Sequence, residues 1–491
     1  MDRVLEISYI GTALRTIAMD QPDRRPRVFR QKTDDAPTFW IASADIPTTP
    51  AHTFYQKLDA ALAACQFGAE VRRLAAPFYE MDASKGGQPG IDPEVYCKML
   101  MVGFFENLGS ERAIAARCAD SLAIRAFLHY GLTERTPEHS TLSVIRQRLD
   151  SEVYDAVFAL VLRALKARKL LKGKRLAIDT SVLEANASLR SLQHRLTGEY
   201  YRQYVKRLAA EAGVDTTDPR AVSRFDRKRK GRKTSNEEWR NPHDPDAKVG
   251  PDKKGVTRML YKPEHVVDVD TSAIVAVDVN FGDDADAHGL AVRVLEVEQQ
   301  VNAALGVPPD EARVETVVAD MGYFDLGELG LLQAAGMRTA ITDPVANRRV
   351  EQLTVAERRA WQRARRTTRS KRGTALMRRR GESCERSFVH VLDYGGARRT
   401  TLRGWENIRK RYVVQAACAN LALLLRHVVG IGTLKQTWAA SEAALEAVLR
   451  AIQAVMRWSR PSGALRWLAT ALTRPPRAPC PSPWCATYAC S

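Results

Sequence analysis

Three acidic residues occur in sequence contexts that suit them for chemistry on phosphate esters. Asp179 lies in the apolar stretch LAIDTSVLEA, Asp320 ends the stretch VETVVAD, and Glu385 leads into the stretch FVHVL. Each apolar stretch predicts a buried element that would hold its acid in place. Acids that a fold brings together form an oxygen-ligand site for two divalent cations, and such a site catalyses phosphoryl transfer.

The two aspartates also have ordinary structural explanations. An unpaired carboxylate inside an apolar strand is costly to bury, so a cation beside Asp179 would relieve that cost. Alternatively, Asp179 caps the turn that begins at Thr180. Asp320 ends a strand before a glycine turn, where ligands gather in α/β enzymes. Alternatively, it caps the following helix, although Asp325 suits that position better.

The third acid is the least distinctive of the three. A glutamate near a helix start also stabilises the helix dipole, which gives Glu385 a structural alternative. Glu382 and Glu406 compete with it for the same role. We prefer Glu385 because it leads directly into an apolar stretch that would fix its position.

The chain is strongly basic, with a net charge of +18 over 491 residues and a pI of about 9.7. Such a charge favours a polyanionic partner, with nucleic acid ahead of an anionic membrane surface. The alternative is a soluble enzyme from a host whose coding is rich in arginine. Apolar residues make up 45% of the chain, which argues against wholesale disorder.

Cysteine usage and hydropathy exclude several other classes of protein. The eight cysteines include no CxxC pair, so neither a zinc site nor a disulfide framework is expected. The chain has no uncharged apolar run of about 18 residues, and charged residues rather than a signal sequence follow Met1. We therefore expect a cytoplasmic protein with no membrane partner.

The residue pattern changes from helical to mixed along the chain. Short helices joined by tight turns are predicted first, and their arginines suit either a helix-turn-helix-like DNA-binding region or an ordinary bundle. Strands alternating with helices follow, which predicts a mixed α/β sheet. The expected divisions are an N-terminal segment 1–75, a helical domain 76–170, a mixed α/β domain 171–430, C-terminal helices 431–473 and a disordered tail 474–491.

Two basic segments interrupt the mixed domain. Residues 189–255 are polar and contain RFDRKRKGRK, and residues 357–380 contain eleven Lys or Arg residues. Both segments suit solvated loops or nucleic-acid contacts. Contact is favoured for the second segment because it lies shortly before Glu385. In the first segment the candidate DNA-binding residues are Arg227, Lys228, Arg229 and Lys230.

Three segments in this order and spacing resemble the bacterial insertion-sequence transposases of the DDE class. They are IDTSVLEANAS, DMGYFD and CERSFVHVLDYGGARRTTLRGWENIRKRYVVQAACANLALLL. The helical block 78–149, which contains QPGIDP and HSTLSVIRQRL, is similar to the N-terminal domain of these proteins, and the likeness spans roughly residues 70–430. The resemblance implies an RNase H-like catalytic core, with Asp179 on the first strand, Asp320 on the fourth and Glu385 on a helix.

The resemblance also implies a chemistry and partners. Members of the family hold two Mg²⁺ ions with the three acids, with Mn²⁺ as an alternative. They cut the transposon ends with water and join the freed 3′-hydroxyl to target DNA. The implied partners are double-stranded DNA and a second copy of the chain, in a cytoplasmic, nucleoid-associated location. Further candidate phosphate contacts are Arg380, Arg386, Arg403, Arg409, Lys410 and Arg411.

The chain departs from many relatives around the third acid. An Arg four residues before the Glu and a Lys six or seven after it are common, but Gly381, Val391 and Leu392 occupy these positions here. Arg380 and Arg386 are the nearest substitutes. Two other functions stay open at this point: an RNase H-like nuclease that cuts without joining, and a non-catalytic DNA-binding repressor of the element.

Overall fold

The structure of the protein is a computed structural model, and it describes residues 29–30, 48–79, 90–231, 235–308, 310–311, 313–345 and 347–458. The described residues up to Leu434 form one compact unit, and those from Lys435 form a second. Helices in the first unit pack around a mixed sheet, and the second unit is helical. The predicted mixed α/β fold with helical N- and C-terminal regions is therefore confirmed. The tail predicted for 474–491 lies outside the described residues.

The helices of the described residues are numbered here in chain order. They are α1 Pro50–Ala64, α2 Phe67–Ala75, α3 Pro93–Phe105, α4 Glu111–Asp120, α5 Leu122–Phe127, α6 His139–Arg148, α7 Ser151–Ala167, α8 Tyr201–Glu211, α9 Pro219–Lys228, α10 Leu290–Leu305, α11 Leu326–Ala334, α12 Val355–Arg369, α13 Lys371–Phe388, α14 Trp405–Val429 and α15 Leu434–Trp458. A π-helical turn, Val389–Tyr394, continues α13.

The strands of the same residues are short, apart from two long ones that form a hairpin. They are β1 Phe29–Arg30, β2 Gly90–Ile91, β3 Arg175–Thr180, β4 Leu183–Glu184, β5 Gln193–His194, β6 Trp239–Arg240, β7 Lys248–Pro251, β8 Thr257–Asp268, β9 Ile274–Phe281, β10 Thr316–Ala319 and β11 Arg338–Ile341.

The N-terminal helices begin where their capping residues predict. Asp92 accepts a hydrogen bond from the Glu94 amide, and Pro93 is the first residue of α3. Ser110 caps α4 through the amide of Ala113. These side chains satisfy amide groups that have no partner inside their own helix.

Two arginines of this helical region are buried in the bundle. Arg125 is 8% exposed and donates hydrogen bonds to the carbonyl oxygens of Gly131 and Glu134. Arg146 is 9% exposed and pairs with Glu111. These two arginines therefore support the packing of the bundle and are not available to a DNA backbone.

The main sheet has seven strands, in the order β11-β10-β3-β8-β4, with β7 and β9 also paired to β8. Strand β10 runs parallel to both β3 and β11, whereas β8 is antiparallel to β3 and β9. The sequence around Asp270–Ser272 suits a hairpin turn between two apolar strands, and it forms the connection between β8 and β9. The carboxyl ends of β3, β10 and β11 therefore meet at one edge, which we call the carboxyl edge.

Helix α13 lies across one face of this sheet. Its Leu376 and Cys384 are buried against Ala177 of β3 and Val318 of β10. Side chains alternate between the two faces of a strand, so Leu176 on the opposite face belongs to the larger core. Helix α14, which is buried on most sides, packs in that larger core against β9, α7 and α3.

Both basic segments contain helices, and the second is almost entirely helical. Segment 189–255 forms α8 and α9 between the paired strands β5 and β6, and its end forms β7 in the main sheet. Segment 357–380 comprises most of α12 and the first half of α13. Arginine and lysine are good helix formers, so a high charge did not exclude helices here.

The start of α14 is capped by carboxylates from the end of segment 189–255. Asp244 Oδ1 accepts hydrogen bonds from the Gly404 amide at 3.1 Å and from the Tyr261 hydroxyl at 2.8 Å. Asp246 Oδ2 accepts one from the Trp405 amide at 3.0 Å. Carboxylates at a helix N-terminus satisfy free amides and complement the helix dipole. The segment therefore supports the core.

One helical stretch of the described residues, 405–451, passes a length and hydropathy test for a membrane span. Its most apolar window has a mean hydropathy of 1.5, and half of that window is buried inside the protein. Such burial is typical of a core helix in a soluble protein, so this stretch does not indicate a membrane protein.

The start of β3 is fixed by a buried carboxylate at the end of β8. Asp268 is 0% exposed, and its Oδ2 accepts hydrogen bonds from the Lys172 and Gly173 amides at 2.7 and 2.9 Å. Its Oδ1 accepts one from the Asp270 amide at 2.9 Å. Asp268 therefore joins the chain entering β3 to the β8–β9 hairpin.

We expect Asp268→Asn to lower the free energy of unfolding by about 2–4 kcal/mol, because an amide NH₂ would face backbone N–H donors in a buried site. Urea denaturation followed by circular dichroism measures this difference. Asp283→Asn, at an exposed position of the turn after β9, is the control and should leave stability unchanged. Equal stability of the two variants would contradict an anchoring role for Asp268.

Candidate active site

The carboxylates of Asp179 and Asp320 lie side by side at the carboxyl edge. The register of β3 and β10 pairs Ala177 with Val318, so two residues further on Asp179 is level with Asp320. Because side chains alternate, both acids are on the face that α13 covers. Strands β4 and β7 pair only with the first part of β8. The other five strands of the sheet are, in chain order, β3, β8, β9, β10 and β11, so Asp179 is on the first of these and Asp320 follows the fourth.

The guanidinium of Arg380, on α13, lies between these two acids. Its Nη2 is 2.9 Å from Asp179 Oδ1 and 3.5 Å from Asp320 Oδ2. The side chains of Arg380 and Asp179 are 14% and 18% exposed, so this ion pair is only weakly screened by water. Arg380 Nε is buried without a hydrogen-bond partner among the described residues.

The electrostatics of this pair favour a bound cation. Burial raises the pKa of Asp179, the Arg380 guanidinium acts against that increase, and the Asp320 carboxylate adds to it. Lys253, from the turn before β8, also acts to lower this pKa. Asp179, whose charged form is raised in energy by burial, and the neighbouring carboxylate of Asp320 make a suitable oxygen donor set for a hard divalent cation.

Glu385 lies near this pair but outside it. Helix α13 places Arg380 and Cys384 on one face, four residues apart, while Glu385 is about 100° further round the helix and exposed. Burial raises the pKa of the Cys384 thiol, and the charges of Asp179, Asp320 and Glu385 add to the increase while Arg380 opposes it. All three acids therefore act on one buried thiol.

A complete metal cluster is not assembled in this conformation. Within the described ranges, no group of three or more His, Cys, Asp or Glu side chains could hold a metal ion. The carboxylate oxygens of the two aspartates are of the type that such an ion prefers, and Glu385 is not grouped with them in this conformation. A further carboxylate, Asp286, lies close by: a Cβ at Gly322 would be 3.1 Å from Asp320 Oδ1 and 3.5 Å from Asp286 Oδ2.

A buried carboxylate on β8 holds the turn that carries Asp320. Glu264 Oε2 accepts a hydrogen bond from the Tyr323 hydroxyl at 2.9 Å. Arg293 Nε lies 3.2 Å from Oε1, close enough for an ion pair but without the alignment of a hydrogen bond. Burial raises the pKa of Glu264 to about 6, against the opposing effect of Arg293. The sequence motif DMGYFD did not reveal this support, because its partner is distant in sequence.

A buried histidine beside Asp179 holds the helices above the sheet. His265 is the antiparallel register partner of Asp179. Its Nδ1 and Nε2 lie 2.8 Å from the hydroxyls of Ser387, on α13, and Tyr412, on α14, and its ring stacks on Phe388. Burial lowers the pKa of His265 to about 3, so it is neutral near pH 7. It therefore fixes the C-terminal end of the helix that carries Glu385.

Three of the basic residues predicted to contact phosphate are engaged inside the protein. Arg409 pairs with Asp155 and Asp278, and Lys410 is 3% exposed and pairs with Glu406. Arg411 donates a hydrogen bond to the Leu108 carbonyl, and burial lowers its pKa. All three lie on the largely buried helix α14, so they support packing in this conformation and do not face solvent as phosphate contacts would.

Of the other residues predicted to contact DNA, two are engaged inside the protein and the rest are exposed. Arg229 is 10% exposed and pairs with Asp226, so it stabilises its own segment. Arg380 is the cation of the acid pair. The remaining predicted residues have side chains at exposed positions: Arg227, Lys228, Lys230, Arg386 and Arg403.

We expect Arg380→Gln to destabilise the protein in EDTA by about 1–2 kcal/mol, because it leaves two neighbouring carboxylates without their cation. The free energy of unfolding from urea titrations checks this. Arg378→Gln is the matched control on the same helix, since Arg378 is 81% exposed and lies 3.8 Å from Glu382. An equal loss of stability in both variants would mean that Arg380 acts only as one more positive charge on α13 and not as the counter-charge of the two aspartates.

Glu264 gives a pH-dependent prediction. The folded protein keeps the Glu264 proton to about pH 6, whereas the unfolded chain loses it near the ordinary pKa of 4.5. The stability from this group is therefore present below the lower value and lost as pH rises through the upper one. Relative to Glu264→Gln, the wild-type free energy of unfolding should fall by about 2 kcal/mol between about pH 4 and about pH 7.

The control for this measurement is Glu296→Gln, at an exposed position of α10. Its pH profile should run parallel to that of the wild type. Parallel profiles of wild type and Glu264→Gln would instead show that Glu264 titrates normally in the folded protein.

Comparison with protein families agrees with this geometry. A family model described as "Transposase domain (DUF772)" matches residues 47–148, and one described as "Transposase DDE domain" matches residues 230–421. The second match contains Asp320 and Glu385, whereas Asp179 lies before it and is joined to Asp320 by the strand register. No curated protein and no solved structure matches the chain.

The two matches cover the N-terminal helices and most of the sheet with its covering helices, and they occur in the order that the sequence predicts. Proteins with these domains act on DNA and generally use divalent metals. The chain belongs to the insertion-sequence transposases of the DDE class.

Proposed function

We propose that the protein cuts the ends of its insertion sequence and joins them to target DNA. In the first step, a water oxygen bonds to the scissile phosphorus and the bond to the 3′ oxygen breaks, which frees a 3′-hydroxyl. In the second step, that hydroxyl oxygen bonds to a target phosphorus, and a target 3′ oxygen leaves. The observation that carries this proposal is the pair of carboxylates of Asp179 and Asp320 on adjacent parallel strands, in contact with Arg380.

Asp179, Asp320 and Glu385 are the proposed ligands of two Mg²⁺ ions, with Mn²⁺ as an alternative. When bound, the ions supply activation of the attacking oxygen and neutralisation of charge at the phosphate. Support for this assignment comes from the oxygen donors of the two aspartates and from the influence of all three acids on Cys384. Glu385 stands at an exposed position, which leaves its side chain free to turn towards the pair.

Arg380 suits a second role once DNA is present. Its buried Nε has no hydrogen-bond partner among the described residues, and it lies beside the two acids. A buried N–H without an acceptor is costly, and a phosphate oxygen is a strong acceptor. We therefore assign Arg380 to a contact with the phosphate at the site, as one of the residues that bind DNA.

The proposed partners are the two ends of the element and the target, all double-stranded DNA. The exposed cations at Arg227, Lys228, Lys230, Arg386 and Arg403 supply the electrostatic part of that binding. Two ends must be held together for joining, so we propose a homodimer in the DNA complex. The place of action is the cytoplasm, in association with the nucleoid.

We expect Asp179→Asn, Asp320→Asn and Glu385→Gln each to slow cleavage of the element's ends at least about 100-fold, because each removes a carboxylate charge from the metal site. DNA affinity should persist in all three variants. Labelled DNA carrying the element's ends, with Mg²⁺ or Mn²⁺, measures cutting, and electrophoretic mobility measures binding in EDTA.

Glu382→Gln is the matched control for the third acid, since both glutamates occupy exposed positions on α13, three residues apart. It should cut as the wild type does; a large loss in Glu382→Gln with none in Glu385→Gln would transfer the role to Glu382. Wild-type cutting without joined products would favour a nuclease. Binding without cutting in Mg²⁺ and in Mn²⁺ would favour a repressor.

A further inference from the structure

A polar cleft of about 550 Å³ lies beyond the end of β3. Its lining includes four arginines, Arg190, Arg258, Arg399 and Arg403, and one acid, Glu184. We call it cleft A. Glu184 is 3.3 Å from Arg258 and 3.7 Å from Arg399. Arg258 also pairs with Asp252 at 2.9 Å, so two carboxylates face the four guanidinium groups. The cleft therefore keeps an excess of positive charge.

The walls of cleft A are fixed by backbone hydrogen bonds. The Thr400 amide donates to the Glu184 carbonyl at 2.9 Å, and the Asn186 side chain donates to the Thr401 carbonyl at 2.8 Å. The Arg403 Nε donates to the Asn186 carbonyl at 3.2 Å. Two loops that are distant in sequence thus form one rigid wall, which presents its arginines without a large entropy cost on binding.

A second cleft, of about 780 Å³, begins at the end of β11. We call it cleft B. Its lining includes Thr342, Trp361, Arg349, Arg365 and Arg369. The three arginines are at exposed positions, and the Arg365 guanidinium lies 4.7 Å from the centre of the Trp361 ring.

The internal contacts of cleft B leave these cations available. Asp343, at the base of the cleft, accepts hydrogen bonds from Arg348 at 2.6 and 2.8 Å and from the Trp361 indole at 2.9 Å. Arg348 therefore neutralises Asp343. Of the charges that remain in the lining, only Glu351 opposes the three exposed arginines.

The two clefts approach the acid pair from different directions. The register pairs Ala319 with Ile341, so Thr342 of cleft B is next to Asp320, about 5 Å away across one strand spacing. Cleft A lies beyond the carboxyl end of β3, where β4 continues along the same edge of β8. Its Glu184 is five residues after Asp179, which limits their separation to about 18 Å. DNA carries one phosphate per about 3.4 Å of each strand, so cleft A is within about five phosphates of the acids.

We propose that clefts A and B hold the phosphate backbone of the DNA on the two sides of the scissile phosphate. This inference rests on the proposed function and adds the path of the DNA across the carboxyl edge. Arginines suit this task because the guanidinium fork matches phosphate oxygens. The proposal assigns Arg190, Arg258 and Arg399 on one side and Arg349, Arg365 and Arg369 on the other as DNA contacts. Of these, only Arg365 and Arg369 lie in the basic segment 357–380 for which the sequence favoured contact.

The test uses two double variants and one matched control. Arg190→Gln with Arg399→Gln changes cleft A, and Arg365→Gln with Arg369→Gln changes cleft B. Arg363→Gln with Arg366→Gln removes the same charge from exposed positions of α12 outside the lining of cleft B. Fluorescence anisotropy in EDTA over a range of salt concentrations measures affinity for a duplex that contains the junction between the element's end and flanking DNA.

We expect each cleft variant to flatten the slope of log affinity against log salt by about 2, and the control by much less, since each lost phosphate contact removes about 0.9 from the slope. Methylphosphonates, which remove phosphate charge, then locate the contacts. Neutral linkages on one side of the cut should lower the DNA affinity of the wild type but not that of the cleft A variant. Neutral linkages on the other side should lower the affinity of the wild type but not that of the cleft B variant.

Slopes like that of the wild type in both cleft variants, or an equal loss in the control, would overturn the inference. So would a cleft variant that stays sensitive to neutral linkages on both sides. If the wild type neither binds nor cuts the junction duplex, the proposed function is overturned. If the wild type cuts normally and the cleft variants bind DNA with the same salt dependence, only the DNA path is overturned. Thermal melting of each variant confirms that it is folded.

Discussion

The structure depends on holding two like charges side by side. Parallel pairing of β3 and β10 puts the carboxylates of Asp179 and Asp320 at the same level on one face, where their repulsion opposes the pairing that produces it. A cation on that face therefore stabilises the pairing of the two strands. Arg380 provides it, and the packing of Leu376 and Cys384 on the sheet sets where that guanidinium lies. The same helix then carries Glu385, so one packing contact positions the counter-charge and the third acid together.

Much of the framework follows from local signals in the sequence. The caps at Asp92 and Ser110 and the hairpin near Asp270 were predictable, because each depends on residues within a few positions of one another. The acids on β3 and after β10 were also predictable, since apolar strands that end in a carboxylate are uncommon without a partner. These features required no knowledge of which strands pair.

The features that depend on distant residues were not predictable. Arg409 lies in a basic run that suggested a DNA contact, yet Asp155 and Asp278 converge on it from two other elements. A charge pattern records how many cations a segment has, but burial by distant elements decides which of them face solvent. The same reason hid the pairing of Glu264 with Tyr323 and the two clefts near the acids. The departure at Gly381 is likewise explained only in three dimensions, because Arg380 reaches the acids from the preceding position.

Strands β5 and β6 have a consequence for how such proteins diversify. They pair His194 with Trp239, and Tyr204 packs on both rings. The chain therefore leaves the core at β5 and returns at β6 at neighbouring points, which this aromatic cluster, the stem, holds together. The described residues between them, including α8, α9 and the exposed Arg227, Lys228 and Lys230, are attached as one insertion. Exchange of such an insertion between relatives would alter the charge presented to DNA while the caps of α14, which lie beyond the stem, stay in place. Affinity for DNA and the chemistry at the carboxyl edge are thus free to evolve separately.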